Sequence, residues 1–318
     1  MTPESPQTVQ NSQSGLTRFW TYQKERFPLF QTALLVFFFT SATLCVSAQL
    51  SSRGLPPLWS FIAAWLSVLI IFFQMRACDE YKDLETDTLY RPERPIPRGL
   101  IKLKTIISLA FGASLIAIMA SFSISPKMLL PLGLIWAWLY IMTKEFFVPE
   151  WLVSKPFLYL VSHMMIMPII DLYISSAEWI IHDQHPPHGL WIFLVLSFLN
   201  GCVLEFGRKV WAPENEREGV QTYSRELGPT KAAWLWAGFC TLAAGFLLAM
   251  IIKLNTPLWV FIPAFLILLY IFCIVWKFSL TPNPALQKRI DAVSGIWVLI
   301  CYALAGFAPF LLSWGHTL

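Results

Sequence analysis

Apolar residues along this 318-residue chain gather into nine long runs separated by shorter polar stretches. The runs cover 29–50, 57–78, 103–124, 127–143, 156–175, 189–207, 232–253, 257–276 and 292–314. Each is close to the roughly 20 residues an α-helix needs to cross a bilayer. No alternating strand pattern and no strict repeat occurs. The pattern predicts an all-α integral membrane bundle of nine transmembrane helices, with 29–318 as one domain. Ahead of it lies a polar tail, 1–28. Residues 1–15 are rich in Gln, Ser, Thr and Pro and are expected to be disordered. Over 16–27, Leu16, Phe19, Trp20 and Phe27 share one side, with Arg18, Lys24 and Arg26 elsewhere. That spacing predicts a short interfacial helix, with an unstructured tail as the competing expectation. The tail has no apolar core followed by a small-residue cleavage site, so the first run is expected to be a retained span.

The polar stretches differ in charge by side. Numbering the crossings puts 20 of the 23 Lys and Arg residues on one side, leaving Arg53, Lys127 and Lys253 on the other. The positive-inside rule then predicts a cytoplasmic N-terminus and an outer C-terminus. A miscounted span would scramble the asymmetry, so it supports the count of nine as well as the orientation. Both long charged loops, after the second and sixth runs, fall on the cytoplasmic side.

Composition agrees. Hydrophobic residues make up 56% of the chain and charged ones 13%, where a soluble domain is nearer a quarter charged. Mean hydropathy is +0.59. Nothing points to nucleic acid, and the expected surroundings are lipids, those of a bacterial inner membrane. Cys45, Cys78, Cys202, Cys240, Cys273 and Cys301 all lie in or at the ends of apolar runs without a C-x-x-C pair. They read as small apolar residues, not as disulfides or zinc ligands. The sequence leaves the oligomeric state open.

The first long loop carries the densest chemistry. Asp79, Asp83 and Asp87 recur every fourth residue, and Arg91-Pro92-Glu93-Arg94-Pro95-Ile96-Pro97-Arg98-Gly99 follows. On a helix the three acids would form a row with steps of about 6 Å. Such a row makes chemical sense where a cation sits between the acids and an anion. The second loop, from Glu205 through Arg208, Lys209, Glu214, Glu216, Glu218 and Gly219 to Thr222, again mixes acids and bases. Lys144 stands at the same membrane edge. Hard Mg²⁺ prefers carboxylate oxygens, keeps several waters and bridges proteins to phosphates. Two acidic clusters with Mg²⁺, Lys and Arg therefore suit a diphosphate whose hydrophobic chain enters the bundle.

These loops resemble those of UbiA-type intramembrane prenyltransferases. The first matches an Asn/Asp-x-x-x-Asp-x-x-x-Asp run followed by Arg-Pro-x-x-Pro-x-Ser/Arg-Gly, and Tyr140-x-x-x-Lys144 matches a further family element. The resemblance implies Mg²⁺-dependent transfer of an isoprenyl group from a prenyl diphosphate to a hydrophobic acceptor, aromatic or lipid-like. It implies metal binding by Asp79, Asp83 and Asp87. Arg91, Arg94, Arg98, Arg208, Lys209 and Tyr140 would bind substrate, and Lys144 would act on the diphosphate. Two departures stand out. Asp79 replaces the usual Asn, and the aspartates of the second motif are absent ahead of Gly219-x-x-Thr222. Glu205, Glu214 and Glu216 remain as candidate ligands. Glu205 is favoured because Arg208 and Lys209 follow within a helical turn.

Other readings are a terpene cyclase of the same fold and an ion or metabolite transporter using the acidic loops. Apart from Asp171, ionisable residues deep in the runs are scarce, which disfavours a transport path. The Asp-Gly-x-x-Ala-Arg element of CDP-alcohol phosphotransferases is missing. Asp171 is a functional candidate by its depth, or else pairs with a nearby polar group or snorkels to the outer interface. His163 reads as a packing residue, and His182, His185 and His188 as a polar connection. The 15 tryptophans suit interfacial belts and cavity walls.

Overall fold

The computed structural model describes residues 14–182 and 184–315. Most of 1–15 therefore lies outside the described residues. The helices in chain order are α1 Gly15–Arg26, α2 Leu29–Leu50, α3 Leu58–Lys82, α4 Leu84–Tyr90, α5 Leu103–Ile124, α6 Leu129–Thr143, α7 Pro149–Val153 and α8 Pro156–Met164. They continue with α9 Ile166–Trp179, α10 Leu190–Gly207, α11 Tyr223–Leu227, α12 Pro229–Lys253, α13 Ile262–Leu280, α14 Pro284–Tyr302 and α15 Ala308–Gly315. No strand occurs among the described residues.

Nine helical segments among the described residues are long and apolar enough to cross a membrane. They coincide with the nine runs. The largest shift is at the last, which begins at Pro284 rather than 292. Asn283 caps that helix by accepting the Leu286 amide at 3.0 Å, so the helix includes a polar first turn that hydropathy alone does not mark. The fifth segment breaks at Met165 between α8 and α9. Pro168 lacks the N–H that would bond the Met164 carbonyl, which accounts for the break. The ninth passes through a π-helical turn, Ala303–Phe307. There Gly306 lies against the α2 backbone: a Cβ on it would fall 2.6 Å from the Ala42 carbonyl oxygen.

Two apolar clusters hold the bundle. One gathers Leu132, Ile135, Ile166, Ile170 and Tyr173 with α2 and α3. The other joins α10, α12, α13 and α14 through Leu196, Phe206, Trp236, Ile271 and Trp297. The outer faces stay apolar, as at Phe111, Leu130 and Leu280, which suits lipid contact and not water. Helix α10 is the most enclosed span, with 61% of its apolar window buried against 28% for α5. A narrow cavity runs along the seam between the clusters, with Val36, Phe39, Val68, Phe72, Ile170 and Leu204 among its walls.

Helix α1 forms where the spacing predicts one. Ser14 caps it, accepting the Thr17 amide at 3.2 Å. It docks onto the first charged loop, because Arg26 pairs with the buried Glu80 at 2.7 Å and Tyr22 is fully buried.

Candidate active site

The first charged loop is not one continuous helix. Helix α3 ends at Lys82, Asp83 forms the junction at φ −87° and ψ 0°, and α4 follows. The Asp83 amide still bonds the Asp79 carbonyl at 2.9 Å and the Asp87 amide the Asp83 carbonyl at 2.7 Å. The four-residue recurrence thus survives across the junction, but the three acids differ in surroundings. Asp79 accepts from Arg76 at 2.9 Å. Asp83 is exposed, and its side chain makes no hydrogen bond or ion pair among the described residues. Asp87 is buried and accepts from Arg94, with Arg91 3.6 Å from its other oxygen.

The Arg-Pro turn explains that clamp. The Arg94 amide bonds the Arg91 carbonyl and the Arg98 amide the Arg94 carbonyl, each at 3.0 Å. Pro92, Pro95 and Pro97 stiffen the loop, so Arg91 and Arg94 fold back over Asp87. Arg98 goes elsewhere, bonding Glu25 of α1 at 2.8 and 2.9 Å. Partial desolvation in this crowded mouth, although the Asp83 side chain still reaches solvent, and after it the charges of Asp79 and Asp87, hold Asp83 above the usual carboxylate range. Burial, then the charge of Arg94, holds Arg91 below the usual guanidinium range.

In the second loop Glu205 ends the enclosed helix α10. It accepts from Arg208 Nε at 2.6 Å and pairs with Lys209 at 2.9 Å. Arg208 stays largely exposed; partial desolvation works against its charge, but Glu205, helped by Asp79, keeps it above its ordinary value. Asp79 is thus electrostatically in reach of Arg208, across the two loops. The Thr222 hydroxyl donates its one proton to the Glu216 carboxylate, whose two oxygens lie 2.7 and 2.8 Å away, while Thr222 caps α11 through the Arg225 amide at 3.1 Å. Glu214 is exposed on a single turn, Pro213–Asn215. The loops also touch. Gly219 has φ +72°, and a Cβ there would fall 2.5 Å from the Tyr90 ring at the end of α4.

Lys144 is exposed and lies 5.7 Å from the Tyr81 ring centroid. Tyr140 is exposed too, its ring 6.2 Å from that of Phe147. The next residues, Glu145, Phe146 and Phe147, take φ of 47°, 54° and 62°, a region non-glycine residues seldom enter. Glu145 is anchored there by Lys82, by the Tyr159 hydroxyl at 3.1 Å and by His163 at 3.2 Å. Burial alone would raise Glu145; hydrogen bonds from His163 and Lys82 hold it below the usual carboxylate range instead. The sequence pattern missed this network. His163 is a member of it rather than a plain packing residue, and Lys82 sits inside the acidic motif, which was the available signal.

Among the described residues no three His, Cys, Asp or Glu side chains stand together around one metal position, and the loop histidines hold no such site. What the mouth offers is hard oxygen donors in ones and twos. Asp83 is unpaired, and Asp87 Oδ1 is buried without a hydrogen bond. That donor set fits a Mg²⁺ ion that keeps most of its waters, not an all-protein cage.

Acidic and basic loops thus stand together at one end of an all-helical bundle with an apolar seam. The chain belongs to the UbiA prenyltransferase family, whose profile matches residues 36–300. It is a prenyltransferase and a multi-pass membrane protein. Digeranylgeranylglyceryl phosphate synthase of Methanosarcina barkeri is 33% identical over 75 residues, a match spanning 24% of this chain and 26% of that relative. A UbiA homolog from Aeropyrum pernix K1 shares the fold at TM-score 0.64 and 15% identity, covering 87% of this chain and 98% of its own. A solved digeranylgeranylglyceryl phosphate synthase gives TM-score 0.62 and 14% identity over 93% and 99% of the two chains. A UbiA homolog from Archaeoglobus fulgidus, bound to GPP and Mg²⁺, gives TM-score 0.50 and 11% identity, covering 87% and 98%.

Proposed function

We propose that this chain transfers an isoprenyl group, with Mg²⁺, from a prenyl diphosphate to a hydrophobic acceptor that is aromatic or lipid-like. The observation that carries the reading is the meeting of both charged loops, through Tyr90 and Gly219, at one end of the bundle. The prenyl diphosphates and Mg²⁺ bound by the Archaeoglobus fulgidus homologs support it. Asp79, Asp83 and Asp87 would hold metal on one side, and Glu205, or else Glu214 or Glu216, on the other. Bound Mg²⁺ would supply charge neutralisation for the departing diphosphate.

The chain's own cations do the rest. Arg91, Arg94, Arg208 and Lys209 each face a carboxylate, and Lys144 an aromatic ring. A diphosphate arriving with its counter-ion exchanges those partners without stranding a charge. Arg98, engaged with Glu25, would act by fixing α1 against the loop. Phe39 and Phe72 line the seam, where their rings shield an allylic cation from water and face it with π-electrons.

Purified protein incubated with labelled prenyl diphosphates and candidate acceptors tests this by mass spectrometry. Transfer should vanish with EDTA and return with Mg²⁺; transfer unchanged by EDTA would contradict the metal assignment. Glu205→Gln is expected to raise the Mg²⁺ needed for half-maximal rate, and Lys144→Ala the prenyl diphosphate needed. A metal requirement moved by Glu214→Gln or Glu216→Gln and not by Glu205→Gln would reassign the ligand.

The division of basic residues supports a cytoplasmic N-terminus and cytoplasmic catalytic loops; a bacterial inner membrane is the setting we propose. On a background without native cysteines, Glu216→Cys should react with an impermeant maleimide only after cells are permeabilised. Labelling in intact cells would reverse the orientation.

A further inference from the structure

The seam cavity is apolar except at one place. Asn200 of α10 lines it, is 1% exposed, and finds no oxygen or nitrogen partner among the described residues for either amide atom. Its neighbour, the Cys301 sulfur, is a weak hydrogen-bond partner. Asp171 and Tyr302 line the same cavity. Asp171 accepts from Thr43 at 2.7 Å and from Tyr302 at 2.5 Å, and Ser197 Oγ lies 3.2 Å from the Tyr302 hydroxyl. No Lys or Arg joins this group among the described residues. Leaving an amide donor and acceptor both unmade in an apolar interior is costly. The cost is removed by a ligand atom that accepts and donates at once.

We infer that Asn200, backed by the Asp171–Tyr302–Ser197–Thr43 cluster, is a subsite for the uncharged hydroxyl of an otherwise apolar acceptor, a phenol or a lipid alcohol. The inference rests on the prenyl-transfer reading for the word acceptor, but not for the binding itself. Three points fix the class. The walls around Asn200 are hydrocarbon and aromatic, which selects an apolar body. The amide carries both N–H donors and a carbonyl, which matches a hydroxyl. Without a cation, an acceptor phosphate or carboxylate placed here would be an unpaired buried charge. Position agrees as well. Asn200 precedes Glu205 by five residues on one helix, about 7.5 Å of rise. A single aromatic ring spans much of that distance, so a phenol bound at Asn200 presents ring carbon toward the mouth where the diphosphate would lie.

The cavity is narrow as it stands, with about 20 Å³ free, enough for one water. Its give lies in methionine. A Cβ on Gly201 would meet Met167 Cγ at 3.0 Å and Met164 Sδ at 3.4 Å, and such unbranched side chains move readily. A ring would enter by displacing Met167.

The test is binding, read by thermal shift on the full-length protein in detergent, with 4-octylphenol, its methyl ether and 4-octylbenzoate as probes. The phenol should bind at least about tenfold more tightly than the ether, which offers no donor, and more tightly than the charged benzoate. Asn200→Leu should erase the phenol's advantage, and the wild-type protein should separately bind labelled geranylgeranyl diphosphate with Mg²⁺. Equal affinity for phenol and ether in the wild type, or preference for the benzoate, would overturn the subsite and leave Asn200 as the partner of a structural water. That comparison needs no variant, so a misfolded Asn200→Leu does not rescue the idea. Absence of diphosphate binding with phenol preference intact would instead count against the prenyl-transfer reading alone.

Discussion

Asp83→Ala and Asp87→Ala are each expected to lower Mg²⁺-dependent diphosphate release by about 100-fold or more, since metal ligands contribute at least as much as the outer-shell groups whose loss costs 10–100-fold. Their effects on stability should diverge. Asp83 has no side-chain partner among the described residues, and its ionised form is disfavoured by the crowded mouth and by Asp79 and Asp87. Removing it strands nothing, so the melting temperature should hold or rise. Asp87 is buried and clamped by Arg94 with Arg91 nearby. Its loss leaves those guanidinium groups facing a void in a partly buried turn. Breaking a fully buried pair costs about 3–5 kcal/mol; Arg94 keeps 20% of its side-chain exposure, which brings the expected loss to roughly 1–3 kcal/mol. Release assays paired with thermal melts in detergent check both halves. An Asp83→Ala protein that melts normally and turns over at the wild-type rate would remove Asp83 from the metal site.

That divergence marks where the sequence stopped being informative. The nine spans were legible because a bilayer tolerates only long apolar helices, so hydropathy and length carry most of the answer. The α1 helix was legible from its spacing. Four-residue recurrence also brought Asp79, Asp83 and Asp87 to one region. It could not reveal the junction at Asp83, because that residue keeps its backbone hydrogen bonds while its ψ shifts to 0° and interrupts the helix. Nor could it tell Arg94, turned onto Asp87, from Arg98, turned onto Glu25; both belong to one Arg-Pro pattern, and only the docking of α1 separates them. Asp171 was conspicuous as an acid in an apolar run, and it does pair with polar neighbours, Thr43 and Tyr302. Glu178, fully buried against Arg53 at 2.6 Å, went unnoticed because its partner follows a different span. Asn200 carries no charge and breaks no hydropathy window, so its unmade hydrogen bonds appear only once the helices are packed.

Gly219→Ala should impair the site without altering any candidate ligand, because two independent constraints meet at that position. The backbone there has φ +72°, a left-handed conformation that costs a residue with a Cβ roughly 1–2 kcal/mol. The added methyl would also sit 2.5 Å from the Tyr90 ring, inside van der Waals contact, so the ring, or the loop that carries it, must retreat. The first loop carries the three aspartates and the second carries Glu205, Glu214 and Glu216. A retreat of the loop therefore separates the two sets of candidate ligands without touching any of them. The expected result is a rise of about tenfold or more in the Mg²⁺ needed for diphosphate release, with helix content unchanged, since a misplacement of about 1 Å can cost a hundredfold in rate. Pairing the change with Tyr90→Ala separates the two causes. The double variant should recover the steric part, because the ring is gone, and keep the conformational part, because φ is still positive. Tyr90→Ala alone should be mild. A Gly219→Ala enzyme with the wild-type Mg²⁺ requirement would mean that contact between the loops does not set the metal site. A double variant no better than the single one would place the whole effect in the backbone of the second loop.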